Sequence, residues 1–78
     1  MDGPLSLDKI GNVKLRAGDA AGALTAYEES LAIRRDLAKD KSNARAQRDL
    51  SISLEKIGDI KLRAGDAAGA LAAYEESL

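Results

Sequence analysis

The chain has 78 residues, twelve Lys/Arg against thirteen Asp/Glu for a net charge of −1, and no cysteine, histidine, Phe or Trp. Disulfides, thiol nucleophiles, Cys/His zinc sites and imidazole acid–base chemistry are thereby excluded, and no cofactor or catalytic activity is expected. The interspersed charges give no nucleic-acid or membrane footprint, and no apolar run is long enough to span a bilayer or to serve as a signal-peptide core, so a cytoplasmic protein is expected.

A chain of this length makes one small domain, near the size at which a single core is only marginally able to overcome chain entropy. Abundant Ala and Leu with a single proline favour helix over strand. "MDGP" reads as a start residue and short leader, and the first helix is expected from Pro4 or Leu5 to about residue 17, proline being acceptable in a first turn. Gly18-Asp19 then has two tasks: the glycine closes one helix in the left-handed conformation, and the aspartate accepts N–H bonds at the start of the next. Gly65-Asp66 repeats the pair, so both are tight corners between antiparallel helices.

The second helix is expected over about 20–39. It carries Ala23, Leu24, Tyr27, Leu31 and Ala38 on one stripe and Ala26, Ile33 and Leu37 on a second, which predicts cover on two sides. The third is expected over about 43–64 with Leu50, Leu54 and Ile57 inward. The fourth, over 67–78, is too short to be stable unless it packs against something. Between the second and third, "DKSN" contains neither Gly nor Pro. Ser42 or Asn43 can cap a new helix there, and one continuous helix from 20 to 64 is the alternative.

The organisation is a repeat: Lys9 to Leu31 and Lys56 to Leu78 share twenty of 23 residues, 47 positions apart, differing only at Asn12/Asp59, Val13/Ile60 and Thr25/Ala72. The copies at 5–31 and 52–78, joined by 32–51, form one repeat domain. Packing accounts for the sameness of Ile10/Ile57, Gly11/Gly58 and Tyr27/Tyr74. It does not account for that of Arg16/Arg63, Glu28/Glu75 or Glu29/Glu76, which read as solvated. A recent duplication, an engineered consensus array or an excerpt of a longer array would each produce such agreement.

A tandem helix-turn-helix unit points to stacked hairpins. Leu54-x-x-Ile57-Gly58 followed by Ala70, Tyr74 and Leu78 resembles the tetratricopeptide repeat signature, and Leu7, Ile10, Gly11, Ala23, Tyr27 and Ser30 supply the first copy. "GDxxGAL" is also typical of that family. In this reading Gly11 and Gly58 admit the partner helix closely, Ala23 and Ala70 sit opposite, and the tyrosines fill the space below. Lys14 and Lys61 stand where the family has an aromatic, and Arg35 where it has a terminating proline. The 47-residue period resembles a long-helix bacterial variety with a "DPxN" turn, in which Lys41 takes the proline position.

The resemblance implies an all-α tetratricopeptide-like solenoid fragment of two helical hairpins that acts as a non-catalytic protein-interaction scaffold. Its ligand would be a protein or peptide on the concave face made by the first helix of each repeat. Transferred by position, that face presents Asp8, Asn12, Leu15 and Arg16 from one copy and Glu55, Asp59, Leu62 and Arg63 from the other, with Asn12/Asp59 as the place for ligand discrimination. Aligned on the period, both ends fall within a repeat, which leaves two complementary surfaces bare. Self-association through those ends, as a swapped dimer or a head-to-tail oligomer, is the alternative function.

The remaining motifs read as structure. Asp36 and Asp40 lie four apart but beside Arg35, Lys39 and Lys41, which favours a solvated charge cluster over a cation site. Glu28-Glu29 and Glu75-Glu76 diverge by about 100° and cannot converge on one bond as an acid–base pair. "GDAAG" lacks the Lys-Ser/Thr ending of a phosphate loop, and Gly18-x-x-x-Gly22 sits among too many charges for a membrane dimer motif.

Overall fold

A computed structural model describes residues 4–78, and the leader read at residues 1–3 lies outside the described residues. Four helices follow in order, α1 Pro4–Arg16, α2 Ala20–Ala38, α3 Ala44–Arg63 and α4 Ala67–Ser77, with no strand among the described residues. The boundaries agree with the sequence reading to within a residue.

The two Gly-Asp corners form as their chemistry requires. Gly18 and Gly65 take φ of 85° and 87°. In that conformation the Gly18 N–H donates to the Leu15 carbonyl (3.1 Å) and the Asp19 N–H to the Lys14 carbonyl (2.8 Å), the paired bonds of a Schellman closure. Asp19 then opens α2, its Oδ1 accepting from the Gly22 N–H at 2.9 Å. Gly65 and Asp66 repeat each bond, with Gly69 as the donor to the cap. A Cβ at Gly22 or Gly69 would lie 2.2 Å from the capping carboxylate, which accounts for the second glycine of "GDAAG".

The 40–43 segment is a turn, so the continuous helix from 20 to 64 does not form. Asp40 does what an absent glycine or proline would otherwise do: its carboxylate accepts from the Ser42 N–H (3.1 Å) and hydroxyl (2.6 Å). These bonds hold the Asp40 carboxyl below the usual carboxylate range. The Asn43 N–H bonds back to the Asp40 carbonyl at 2.9 Å, and the Asn43 side chain caps α3 by accepting from Ala46 N–H.

The helices pack serially: α1 meets only α2, α2 meets α3, and α3 meets α4. Their Cα envelope measures 37 × 30 × 13 Å, thin enough to leave every helix an open side. The core centres on the α2–α3 seam, where Ala23, Tyr27, Leu31, Leu54, Ile57 and Ile60 are buried together with Ala73 of α4, and Leu15 of α1, Leu24 and Leu50 lean on them. The inward stripe of α3 is thus as expected.

The second stripe of α2 is only partly covered: Ala26 is buried, but Ile33 and Leu37 are 38% and 51% exposed. The physical reason is the thin serial packing, in which α1 and α3 leave one side of α2 uncovered. Its last turn lies beside Leu5 at the start of α1, with which Leu37 lines an open hollow.

Each pair of helices meets through one repeated contact. A Cβ built on Gly11 would come within 2.9 Å of the Tyr27 ring, and one on Gly58 within 2.7 Å of the Tyr74 ring. The ring itself therefore occupies the space that glycine vacates. Ala23 and Ala70, 0% and 1% exposed, pack in the same interfaces.

Leucine at Gly11 must displace Tyr27, a buried ring whose hydroxyl is tied to Asn12. Overpacking of this kind costs about 1–3 kcal/mol, more than the helix propensity gained by replacing glycine, and each kcal/mol lowers the melting temperature of so small a domain by about 4–8 °C. Urea denaturation of Gly11→Leu should show a lower midpoint at unchanged slope.

Candidate functional site

The most organised polar cluster surrounds Arg34, a residue the sequence reading did not single out. Arg34 projects from α2 and is 8% exposed. One of its terminal nitrogens donates to the Ser30 hydroxyl and to the Ser53 hydroxyl, each at 2.8 Å, and lies 2.9 Å from the Asp8 carboxylate. A single guanidinium thereby connects α1, α2 and α3. A buried charge is tolerated only when its donors find acceptors and an opposite charge stands near, and here Ser30, Ser53 and Asp8 supply both.

Above this cluster runs a small cleft between α1 and α3. Asp8 forms one wall and Asp49, Ile52, Ser53 and Lys56 the other, with Tyr27 and Arg34 as the floor. The Lys56 ammonium stands 5.6 Å from the centre of the Tyr27 ring, a cation–π geometry. The Tyr27 hydroxyl donates to Asn12 Oδ1. Burial, with the Asp8 charge second, raises the Tyr27 phenol above its ordinary value.

The eight residues expected on the concave face take several roles. Asp8 pairs with Arg34 at the cleft wall, Asn12 receives the Tyr27 hydroxyl, and Leu15 is partly buried against the core. Arg16 is exposed and lines a shallow hollow on α1 with Lys9, Asn12 and Val13. On α3, Glu55 and Arg63 are exposed, Leu62 is 54% exposed, and Asp59 receives the Tyr74 hydroxyl. That bond to Asp59 is the main cause raising the Tyr74 phenol, ahead of desolvation and of the Asp59 and Glu55 charges. Of the eight, only Asp8 lines the cleft itself, whose α3 wall is built from Asp49, Ile52, Ser53 and Lys56.

The Asn12/Asp59 difference is tied to the tyrosines. Both side chains accept the same hydroxyl, one as a neutral amide and the other as a carboxylate. Nothing local in the sequence marks Ser53 and Lys56 as neighbours of residues on α2.

A second, larger cleft of about 290 Å³ opens between α2 and α4, with Leu54, Ile57 and Lys61 of α3 among its lining. Two ion pairs border it, Lys61 with Glu28 at 4.0 Å and Arg35 with Glu76. Glu28 and Glu76, read as solvated, therefore take part in contacts between helices, Glu28 with the second copy and Glu76 with the segment joining the copies, although exposed pairs of this kind contribute little. Asp36 pairs with Lys39 at 3.4 Å while Asp40 turns to Ser42, so they form no joint cation site. Among the described residues no group of three or more Asp or Glu side chains converges, and no helix is long and apolar enough to cross a membrane.

Replacing Arg34 by Met removes the donors to Ser53 and Asp8 while keeping most of the apolar stem. Leaving these partners unsatisfied costs about 1–3 kcal/mol in urea denaturation. Because Asp8 acts through Arg34, adding Asp8→Asn to Arg34→Met should cost less than Asp8→Asn does alone, and strict additivity would count against the three-helix tie. No family model, curated protein or solved structure matches this chain.

Proposed function

We propose that the chain is a tetratricopeptide-like solenoid segment that acts as a non-catalytic scaffold, holding an extended peptide along the face shared by α1 and α3. The observation that carries this reading is the preorganised floor of the α1–α3 cleft. Tyr27 and Arg34 are buried and each is bonded across helices, so the floor loses little freedom when a ligand arrives. Ile52, 51% exposed at the cleft edge, offers an apolar contact, and Lys56 beside it offers a cation for a carboxylate or carbonyl. Asn12, Arg16, Asp59 and Arg63 extend the same helices with exposed polar groups.

The repeated corners, the glycine–tyrosine contact in each pair and the side-by-side placement of α2 and α3 support the family reading. The absence of histidine and cysteine, and the engagement of Glu28 and Glu76 in ion pairs with Lys61 and Arg35, support a binding role over a catalytic one.

Peptides selected from a random display library against the dilute chain test this directly. Their binding should move the amide NMR signals of Asn12, Ile52 and Lys56, and Ile52→Ala should weaken binding by about fivefold, the loss of one apolar anchor worth ~1 kcal/mol. Selection of no peptide, or signals moving only at Leu31, Ala32 and Ala72 on the opposite cleft, would refute the assignment.

A further inference from the structure

The exposed face of α4 is a second copy of a face that is already covered elsewhere in the same molecule. In α2, Tyr27 is 2% exposed and Leu24 leans on the core, because α3 lies over them. Their counterparts on α4 have no such cover: Leu71 is 58% exposed and Tyr74 is only partly buried. The complementary face shows the same contrast. On α3, Ile57 and Ile60 are 2% and 4% exposed against α2, whereas their counterparts on α1, Ile10 and Val13, are 47% and 67% exposed.

Polar contacts at the covered seam have their halves waiting on the bare ones. Glu28 of α2 pairs with Lys61 of α3, and Lys56 of α3 stands over the Tyr27 ring. The corresponding residues are Glu75 and Tyr74 on α4, and Lys14 and Lys9 on α1. Among the described residues neither Glu75 nor Lys14 forms an ion pair, and Lys9 lies in the open hollow with Asn12, Val13 and Arg16. Of these seam residues only Val13, in place of Ile60, differs between the covered and the bare pair.

We propose that a second copy of this chain docks head to tail, laying the Ile10/Val13/Lys14 face of its α1 on the Leu71/Tyr74/Glu75 face of α4, in the register in which α3 lies on α2. Charge fits sign to sign, Lys14 of one molecule meeting Glu75 of the next, while Ile10 and Val13 cover Leu71 and the Tyr74 ring. The contact is heterologous, using two different faces, so each added molecule presents a fresh acceptor and the assembly does not close at two. It rests on the seam contacts alone and stands whether or not the α1–α3 cleft holds a peptide.

With no ligand present, the weight-average mass of the 78-residue chain is followed by light scattering from micromolar to millimolar concentration. Mass should rise with concentration and continue past that of a dimer. Val13→Glu, placed at a position 67% exposed in the single chain, should leave the helical circular dichroism intact and weaken association by roughly tenfold or more, because it puts a carboxylate against apolar partners. Lys14→Glu and Glu75→Lys should each weaken association by a fewfold, and a one-to-one mixture of the two variants should recover it, since opposite charges then meet at every seam. A mass fixed at one chain throughout, a closed dimer that never grows, or association indifferent to Val13→Glu would each overturn the proposal.

Discussion

Two tyrosine rings lying on two glycines set the distance between the helices of each pair, and the rest of the molecule is arranged around that distance. A side chain at Gly11 or Gly58 would meet ring carbons closer than real contacts allow. Because the ring fills the space, the neighbouring helix can approach with only alanines at the other contact positions. Ala23, Ala26, Ala70 and Ala73 are all buried, and the core holds no aromatic other than Tyr27. Small residues and one flat ring give close approach and a defined spacing together, which larger aliphatic side chains would not.

Identical sequences do not have identical environments here, and the difference is informative. Tyr27 is sandwiched between its own glycine and the next helix pair, with Lys56 over its ring, whereas Tyr74 has only its own glycine beneath it. Both phenols titrate high, the first mainly through burial and the second mainly through its bond to Asp59. The copies thus share their internal geometry and differ in what lies outside it. Arg34, in the segment that joins the copies, belongs to the outside contacts: it binds the first pair to α3 through Ser53.

What the sequence made legible is local. The Gly-Asp corners follow from the positive φ of one residue and the capping carboxylate of the next, so their positions were readable to the residue. The cap of α3 was readable only as Ser42 or Asn43, of which the structure uses Asn43, and the continuous-helix alternative at 40–43 came from the missing glycine and proline. The Asp40 carboxylate closes off that alternative by bonding Ser42. The Arg34 cluster was not readable, because its acceptors sit 4, 19 and 26 residues away on three helices and none is unusual by itself. The exposure of Ile33 and Leu37 was likewise hidden, since an apolar stripe states what a helix could bury and not whether a neighbour lies on that side. The cleft wall of Asp49, Ile52, Ser53 and Lys56 escaped notice because position within a repeat shows which residues correspond, whereas facing residues come from different positions.

The glycine–tyrosine contact can be observed directly, because the two tyrosines are the only aromatic residues in the chain and their ring protons are unambiguous. A nuclear Overhauser spectrum should connect the ring of Tyr27 to the α-protons of Gly11 and the ring of Tyr74 to those of Gly58, with those α-protons shifted by the ring current. Glycine α-protons at random-coil positions, with no cross-peak to either ring, would contradict the account at its centre.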